Sequence, residues 1–432
     1  MIYQKPRGTF DLFGEEVELF NEIESTLKNV VKLFNFKEIV TPIFEHKELF
    51  IRNIGASSDI VTKEFYDFKD KSDRDLVLRP ENTVGVIRSV VENKLLSTNP
   101  LPLKFFYFGP MFRYERPQKG RTRQFFQFGV ECIGIKNVYQ QVEMILMAKH
   151  LLKELNVINY EIKINYIGNF ETRVKWIEEL KKYFSKYKNE LTEDSINRLE
   201  KNPLRILDDK VDGKKDFVIN APKVEKFFTE NEKEEFNKIK EILDFLNIDY
   251  QIDSTLVRGL DYYSGLVFEF VSTSNQLTGQ STLIGGGKYQ NLLKEMGSSA
   301  NYDCIGFALG VERIMLAVIG ENEVYLPNKI DVYVATVGNT VMNAMKLVQD
   351  LRLCSITTET NYEISKLDKH FKYAEKFNPD IILILGEKEL EENVVTLKIQ
   401  GTQKTKKVKM NRVLEEVENI CEKLMRDFMF SR

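Results

Sequence analysis

The chain has 432 residues, of which 43% are hydrophobic and 29% are charged, and its formal net charge is -3 at pH 7. At roughly 100–200 residues per domain, this length allows two to four domains. The composition excludes a mainly disordered chain, because it provides enough apolar surface for a large core. No stretch approaches the ~20 apolar residues that cross a bilayer, and the first residues lack the apolar segment of a secretory signal. We therefore expect a cytoplasmic protein without a membrane partner.

The 4 Cys and 3 His of the chain are scattered. The cysteines form no C-x-x-C pair, and the histidines form no H-E-x-x-H motif. A disulfide framework, a structural zinc site and zinc hydrolase chemistry are therefore not expected. The nearly balanced charge excludes a generally polybasic chain, although a local cationic surface can still bind nucleic acid.

The first third of the chain predicts a helix, a short strand and a hairpin. Apolar residues recur at spacings of three and four over 15–34, which predicts an amphipathic helix. The following FKEIVTPIFE combines β-branched residues with Pro42 and predicts a short, interrupted strand. Two aromatic-rich, partly alternating runs within 104–135 flank a polar turn and predict a long antiparallel hairpin, and a helix is predicted over 138–155.

The remainder predicts a helical insertion and a separate α/β region. Lys and Glu dominate 170–250, which favours mostly helical structure. Strands are predicted at 256–270 and near 281–285, followed by a helix from about 311 to 318. After Pro327, strands alternate with helices, which predicts a small α/β domain with a largely parallel sheet that ends in a hairpin and a helix.

The turn of the predicted hairpin is rich in cations. Arginine is suited to bidentate contacts with phosphate, and the neighbouring Phe125 and Phe126 offer rings for stacking. The turn is either a solvated tip or a site for a nucleotide or a nucleic-acid end. Its cations, interrupted only by the acid Glu115, are Arg113, Arg116, Lys119, Arg121 and Arg123.

Two further arginines are surrounded by apolar or small residues. Arg258 in LVRGLDYY needs acceptors, which an ion pair with Asp261 or Glu269 would provide; alternatively, it faces an anionic substrate. Arg313 in GFALGVERIML is either a surface charge or part of an anion site at a helix start.

Two acids complete the candidate set. Glu81 follows a proline in LRPENT, and Glu131 ends the second hairpin strand. Each alone reads as an ordinary acid, whereas together they could bind a substrate amine and a second nitrogenous group.

Taken in order, these segments resemble a class II aminoacyl-tRNA synthetase. KEIVTPIFE resembles motif 1, FRYERPQKGRTRQFFQFGVE resembles motif 2, and GFALGVERI resembles motif 3. RGLDYY followed by GGGKY is similar to two motifs of the histidyl-tRNA synthetase family. RGTFD, NPLRILDDK and SKLDKHFKYAEKF with ILILGE also resemble that family, so the resemblance covers essentially the whole chain.

The resemblance implies a fold and an assembly. It implies an α+β catalytic domain over 1–325 with a six-stranded antiparallel sheet and helices. A helical insertion over 172–250 interrupts this domain, and an α/β anticodon-binding domain follows over 329–432. The implied assembly is a homodimer built around the helix and strand of motif 1.

The implied reaction joins L-histidine and ATP to form histidyl-adenylate and pyrophosphate, and then transfers histidine to the 3′ end of tRNA(His). ATP with Mg²⁺ is implied, with no zinc and no organic cofactor. A site that hydrogen-bonds a polar substrate side chain can reject analogues by ~10⁴–10⁵ without editing. We therefore interpret the insertion as a clamp on the tRNA acceptor arm and not as an editing domain.

The resemblance also implies roles for individual residues. Arg258 and Arg113 are the implied catalytic residues, both at the α-phosphate. ATP is held by Arg113, by Glu115 at the adenine amino group, by Phe125 stacked on adenine, and by Arg121 and Arg313 at the γ-phosphate. The implied histidine-binding residues are Glu81, Asn82, Thr83, Arg113, Gln127, Glu131, Arg258, Tyr262 and Tyr263. The implied contacts to the tRNA end are Arg116, Gln118 and Arg123.

Several positions depart from the family pattern. Phe126 stands where His is common, Lys288 where Arg is usual and Gln290 where an acid is common. Asn35 replaces a frequent glycine, and Phe-Gly at 13–14 replaces a common Leu-Pro. Lysine keeps the charge of arginine but lacks its planar fork, so the role of Lys288 is open.

Three alternatives are retained. They are a regulatory subunit of ATP phosphoribosyltransferase, which is a non-catalytic paralogue; a class II synthetase for another amino acid; and an RNA-binding protein on an inactive synthetase scaffold. RGLDYY and the presence of 329–432 favour the histidine enzyme. A lysine run near the C-terminus either touches phosphate or forms a solvated strand face: Lys404, Lys406, Lys407 and Lys409.

Overall fold

The protein is described by a computed structural model. The described residues are 3–54, 59–209, 211–274, 277, 281–300, 302–322, 330–363, 366–402 and 405–430. They form two compact units, the larger containing Glu16–Val324 and the smaller Tyr325–Arg432. None of the helices in these ranges combines the length and apolarity needed to cross a membrane.

The larger unit alternates short strands with helices in its first half and is mainly helical between β7 and β8. In chain order its elements are α1 (Glu15–Leu33), β1 (Lys37–Glu38), β2 (Phe44–His46), α2 (Lys47–Ile54), α3 (Asp59–Lys63), β3 (Asp67–Lys69), β4 (Asp75–Leu78), α4 (Thr83–Glu92), α5 (Leu95–Thr98), β5 (Leu103–Phe112), β6 (Gln124–Ile135), α6 (Val138–Glu154), β7 (Tyr160–Tyr166), α7 (Phe170–Ser185), α8 (Glu193–Lys201), α9 (Leu204–Leu207), α10 (Asp216–Ile219), α11 (Glu230–Phe245), β8 (Gln251–Ile252), β9 (Tyr263–Ser272), β10 (Thr282–Tyr289), α12 (Leu292–Glu295), β11 (Asp303–Gly310) and α13 (Val311–Glu321).

The described strands of this unit build a large sheet in the order β1-β5-β6-β11-β10-β9-β7-β8. The six inner strands all pair antiparallel, as the resemblance implies. The two-residue strands β1 and β8 add parallel pairs at the edges. A separate sheet, β2-β4-β3, was not predicted; its short strands are mostly exposed and carry no apolar alternation.

The predicted hairpin is confirmed. β5 and β6 pair from Leu103 with Ile133 to Phe112 with Gln124. Successive side chains of a strand point to opposite faces, so the two adjacent rings separate. The Phe126 ring packs 4.8 Å from the Phe20 ring of α1, whereas Phe125 faces the opposite side of the sheet and lines a pocket. The predicted helix over 15–34 is α1, which covers this apolar face.

The prediction of a strand from residue 256 is wrong for its first part. Residues 256–262 form no strand, and β9 begins only at Tyr263. Their apolar and aromatic residues belong to buried cores, which explains the strand-like composition. Their backbone carbonyls are bonded by side chains instead of a neighbouring strand; for example, Asn165 donates to the Leu256 carbonyl at 2.9 Å.

Residues 170–245 contain α7–α11, as the charge pattern predicts. These helices enclose their own apolar core around Trp176, Leu180 and Phe184. Helix α11 attaches this insertion to the sheet through Glu235, which accepts hydrogen bonds from Gln141 of α6 and Tyr166 of β7.

The smaller unit contains a five-stranded described sheet, β13-β12-β14-β15-β16, with helices around it. Two of the strand pairs are parallel and two are antiparallel. The predicted largely parallel sheet is therefore corrected to a mixed sheet, because the closing hairpin joins the same sheet. Its elements are β12 (Val332–Thr336), α14 (Val341–Leu353), β13 (Thr358–Thr360), α15 (Leu367–Ala374), β14 (Ile381–Leu385), α16 (Glu387–Glu391), β15 (Val394–Ile399), β16 (Thr405–Lys409) and α17 (Val413–Phe430).

Lys406, Lys407 and Lys409 of the lysine run are exposed on β16. Lys406 pairs with Glu416 at 2.6 Å, and Lys407 pairs with Glu392 at 2.5 Å. Lys404 lies outside the described residues. At least two of these cations are therefore partly neutralised within the smaller unit.

Candidate active site

A deep pocket opens on the face of the large sheet opposite α1. It is formed by the hairpin β5–β6, by strands β9–β11, by the 256–262 segment, and by the starts of α4 and α13. Its empty space, including the mouth, is about 960 Å³. This size lies in the range of small-molecule sites.

Glycines in the central strands make room for charged side chains that lie flat on the sheet. A Cβ atom at Gly306 of β11 would overlap the Glu131 carboxylate, and one at Gly285 of β10 would overlap the Arg258 guanidinium. The glycines therefore admit two buried ionisable groups that larger residues would exclude.

One end of the pocket is built from carboxylates and hydroxyls. The two oxygens of Glu131 accept hydrogen bonds from Thr83 Oγ1 and Tyr289 OH, both at 2.6 Å. Burial raises the pKa of Glu131 to about 8. Glu81 accepts from the backbone N–H groups of Thr83 at 2.8 Å and Val84 at 3.0 Å, so its carboxylate sits at the start of α4. Burial raises the pKa of Glu81, while these N–H groups oppose the shift.

The other end is cationic. Arg113 donates from Nε to the Pro80 carbonyl at 2.9 Å, and its guanidinium carbon lies 5.2 Å from the Phe125 ring centroid. Arg313 donates to the carbonyls of Gly120 at 3.0 Å and Thr282 at 3.1 Å. Burial, together with repulsion from Arg113 and Arg121, lowers the pKa of Arg313 to about 10. This concentration of positive charge in a buried pocket favours an anionic ligand.

Glu115 partly balances this charge from the hairpin turn. It is buried, forms an ion pair with Arg121, and lies 3.9 Å from Arg113. Two arginines thus meet one carboxylate, so a net positive charge remains for a ligand.

Arg258 lies between the two ends. It forms an ion pair with Glu269, whose other oxygen accepts from Thr282 Oγ1 at 3.0 Å. Although burial opposes the charge, the Glu269 carboxylate keeps the pKa of Arg258 raised. The Nε atom of Arg258 is buried and finds no hydrogen-bond partner among the described residues. Of the two structural alternatives, the ion pair with Glu269 is therefore present, and a donor is left that a ligand can satisfy.

Most of the predicted site residues meet in this pocket. The candidates that line it are Glu81, Thr83, Arg113, Glu115, Arg121, Phe125, Gln127, Glu131, Arg258, Tyr262, Tyr263 and Arg313.

Four predicted residues do not line the pocket. Asn82 is buried behind it, and its Oδ1 atom accepts from Thr41 Oγ1 at 2.6 Å. Arg116 and Gln118 lie exposed on the hairpin turn. Arg123 places its guanidinium carbon 3.9 Å from the Tyr114 ring centroid.

The structure adds pocket residues that sequence reasoning did not assign. Tyr107 donates to Gln127 Oε1 at 3.1 Å and thereby orients the amide. Glu312 accepts from the Phe126 N–H at 2.8 Å, and burial raises its pKa to about 7. Tyr289 follows Lys288 in GGGKY, and Glu312 precedes Arg313 in GFALGVERI. Their positions within these motifs could have identified both as site residues. Thr282 is also a lining residue, and nothing in its local sequence marks it.

Lys288 does not line the pocket. Its Nζ atom lies 2.9 Å from Glu235 of α11 and 2.9 Å from Asp303 of β11. Gln290 donates to the same Asp303 carboxylate at 2.5 Å. The departures from the family pattern at Lys288 and Gln290 therefore concern the attachment of the insertion to the sheet.

Metal-ligating side chains are not clustered in the ranges that the structure describes, where no group of three His, Cys, Asp or Glu residues is arranged to hold an ion.

Comparisons with known proteins agree with this geometry. Residues 8–314 match the family model of histidyl-tRNA synthetase, and residues 331–420 match that of the anticodon binding domain. The chain is 59% identical to the histidine–tRNA ligase of Malacoplasma penetrans over 98% of this chain and 99% of that protein. It is 50% identical to the histidine–tRNA ligase of Ureaplasma urealyticum serovar 10, over 92% of this chain and 94% of that protein.

A solved structure is also similar. Apo histidyl-tRNA synthetase from S. aureus superimposes with a TM-score of 0.81 at 33% identity, covering 96% of this chain and all of that one. The matched residues include both units. The chain therefore belongs to the histidyl-tRNA synthetase family.

Proposed function

We propose that this chain activates L-histidine with ATP, releasing pyrophosphate, and transfers the histidyl group to the 3′ end of tRNA(His). The observation that carries the proposal is the two-ended pocket. One end offers hydrogen-bonding groups for a polar amino acid, and the other offers arginines for a polyphosphate. The named relatives, similar over nearly the whole chain, support the same reaction.

ATP is assigned to the arginine end. Arg113 is placed at the α-phosphate, and Arg121 and Arg313 at the γ-phosphate, because guanidinium groups pair with phosphate oxygens bidentately. Phe125 stacks on adenine, whose amino group meets Glu115. Since Glu115 holds Arg121 in the free protein, ATP binding exchanges this pair for contacts to the nucleotide. Mg²⁺ enters with ATP and shares the charge of its phosphates.

Histidine is assigned to the other end. Glu81, Thr83 and Gln127 receive its amino and carboxylate groups. Glu131 and the two tyrosines Tyr262 and Tyr263 line the imidazole side. Asn82 acts from behind the pocket in this proposal, because its contact with Thr41 steadies the start of α4.

Arg258 and Arg113 act on the reacting centre. A carboxylate oxygen of histidine attacks the α-phosphorus in line, the bond to the bridging β-phosphate oxygen breaks, and the electron pair leaves with pyrophosphate. Fixed guanidinium groups stabilise the developing charge without reorganising. The Nε–H of Arg258, which has no hydrogen-bond partner in the described part of the chain, is suited to this contact.

Transfer needs the tRNA end at the pocket mouth. We place Arg116, Gln118 and Arg123 of the hairpin turn on that end, and the 172–250 insertion on the acceptor arm. The α/β unit, over 329–432, reads the anticodon as unstacked single-stranded bases. The catalytic domain in this proposal spans 1–325. The proposed location is the cytoplasm, where tRNA charging supplies translation.

A homodimer is proposed around the motif 1 region. Four large apolar side chains there are exposed, namely Leu33 (74%), Val40 (86%), Ile43 (44%) and Phe44 (54%). Clusters of exposed apolar surface mark protein interfaces. A second copy would cover them, so Val40→Asp is expected to convert a dimer to a monomer in light scattering.

The test is charging of tRNA(His) with labelled histidine in the presence of ATP and Mg²⁺. We expect charging by the wild type and a loss of about 10²–10³ in Arg258→Ala, the cost of removing one preorganised donor. The matched control is Arg74→Ala, which removes an exposed arginine whose ion pair in the structure is with its neighbour Asp70. Uncharged tRNA with folded wild-type protein would refute the proposal.

A further inference from the structure

Arg258 sits on a segment that two separate cores share. Leu256, Leu260 and Tyr262 pack in the core of the catalytic sheet. Val257, directly before Arg258, is buried instead in the apolar core of the insertion, with Trp176. A change in the position of the insertion therefore moves the backbone that carries Arg258.

The polar contacts of this segment also come from the insertion. Arg173 of α7 donates from Nη1 to the Asp261 carbonyl at 3.0 Å and also to the Tyr263 carbonyl. Arg205 of α9 donates to the Gly259 carbonyl. These bonds replace the strand pairing that residues 256–262 lack.

Asn202 connects the start of α9 with the segment. Its Nδ2 atom donates to Asp261 Oδ1 at 2.9 Å, while its Oδ1 atom accepts from the Leu204 N–H at 3.2 Å. The amide thus fixes the start of α9, and with it Arg205, relative to Asp261.

We propose that Arg173, Asn202 and Arg205 are positioning residues that hold Arg258 in its productive place. The insertion therefore controls the rate of adenylate formation in addition to any contact it makes with tRNA. This inference rests on the proposed role of Arg258 and extends that role to residues that lie 53 to 85 positions earlier in the chain.

The expected effect falls on catalytic rate more than on ATP binding. The arginines assigned to ATP lie on the hairpin turn and on α13, and not on this segment. Loss of the insertion's hydrogen bonds leaves Arg258 present but less well placed. This loss should lower kcat less than removal of Arg258 does.

The experiment is histidine-dependent ATP–pyrophosphate exchange in the full-length protein without tRNA. Variants are Asn202→Ala, Arg205→Ala, Arg205→Lys and Arg258→Ala. The matched control is Lys215→Ala, because Lys215 bonds only Asp212 and the Glu190 carbonyl within the insertion among its described contacts. Thermal unfolding is measured for each variant.

We expect Asn202→Ala and Arg205→Ala to lose about tenfold or more in kcat with an ATP KM within about twofold of wild type. Arg205→Lys, which keeps a donor, should recover most of the rate, and Lys215→Ala should keep it. In the Arg258→Ala background, Arg205→Ala should not lower kcat further.

Either of two results would overturn the inference alone. One is wild-type kcat in Asn202→Ala and Arg205→Ala while Arg258→Ala is inactive, a pattern that leaves the proposed function intact. The other is an equal loss in Lys215→Ala with a lowered Tm, which would assign the effect to the stability of the insertion. An active Arg258→Ala would instead refute the proposed role of Arg258 and the inference together.

Discussion

A single methyl group at Gly285 tests the placement of Arg258. The added Cβ would overlap both terminal nitrogens of the Arg258 guanidinium. Gly285 does not have a positive φ, so alanine fits the backbone and the conflict lies with Arg258. Removing one preorganised donor costs about 10²–10³ in kcat, or about 2.7–4 kcal/mol. Because Gly285→Ala displaces the guanidinium without removing it, we expect kcat to fall by about 10²-fold, the lower end of this range.

The assay is histidine-dependent pyrophosphate exchange, with thermal unfolding as a control for folding. The same methyl group should have almost no effect in Arg258→Ala, where the overlapping atoms are gone. This non-additivity is the signature of a direct contact. Wild-type kcat in Gly285→Ala would refute the geometry, as would an equal loss in the presence and absence of Arg258.

Three further predictions follow. The raised pKa of Glu131, about 8, means that the folded protein keeps a proton that the unfolded chain loses near pH 4.5. The stabilisation from this group is thus fully present below about pH 4.5 and is lost as the pH rises through about 8. The free energy of unfolding measured in urea should therefore fall with rising pH more in the wild type than in Glu131→Gln. Phe125→Leu should raise the KM for ATP several-fold by removing the stacked ring, with little change in the KM for histidine. Lys288→Met should leave Glu235 and Asp303 without their cation; since both are partly exposed, we expect a loss of about 2 kcal/mol, measured as a lower Tm.

The local pattern predicted those elements whose hydrophobic faces are regular. The spacing of apolar residues in α1 and the alternation along β5 and β6 specify a helix and a hairpin without reference to distant residues. The cation-rich turn, the glycine-flanked Arg313 and Arg258 in its apolar setting identified candidate ligand contacts, because charge in such surroundings needs a partner.

The remainder depends on long-range contacts. The 256–262 segment reads as a strand by composition, but its shape depends on Arg173 and Arg205, more than 50 positions earlier in the chain. Asn82 reads as a site residue beside Glu81, yet Thr41 engages its side chain from behind the pocket. Lys288 reads as a motif residue, and its partners come from α11 and β11.

The most direct measurement is ATP–pyrophosphate exchange with the purified protein, run with each of the twenty amino acids in turn. We expect exchange with L-histidine alone. The hydrogen-bonding end of the pocket should exclude the other amino acids, because a substrate that leaves a buried polar group without a hydrogen bond binds more weakly. Absence of exchange with every amino acid, from folded protein, would contradict the proposed activation of histidine and favour a non-catalytic regulatory paralogue.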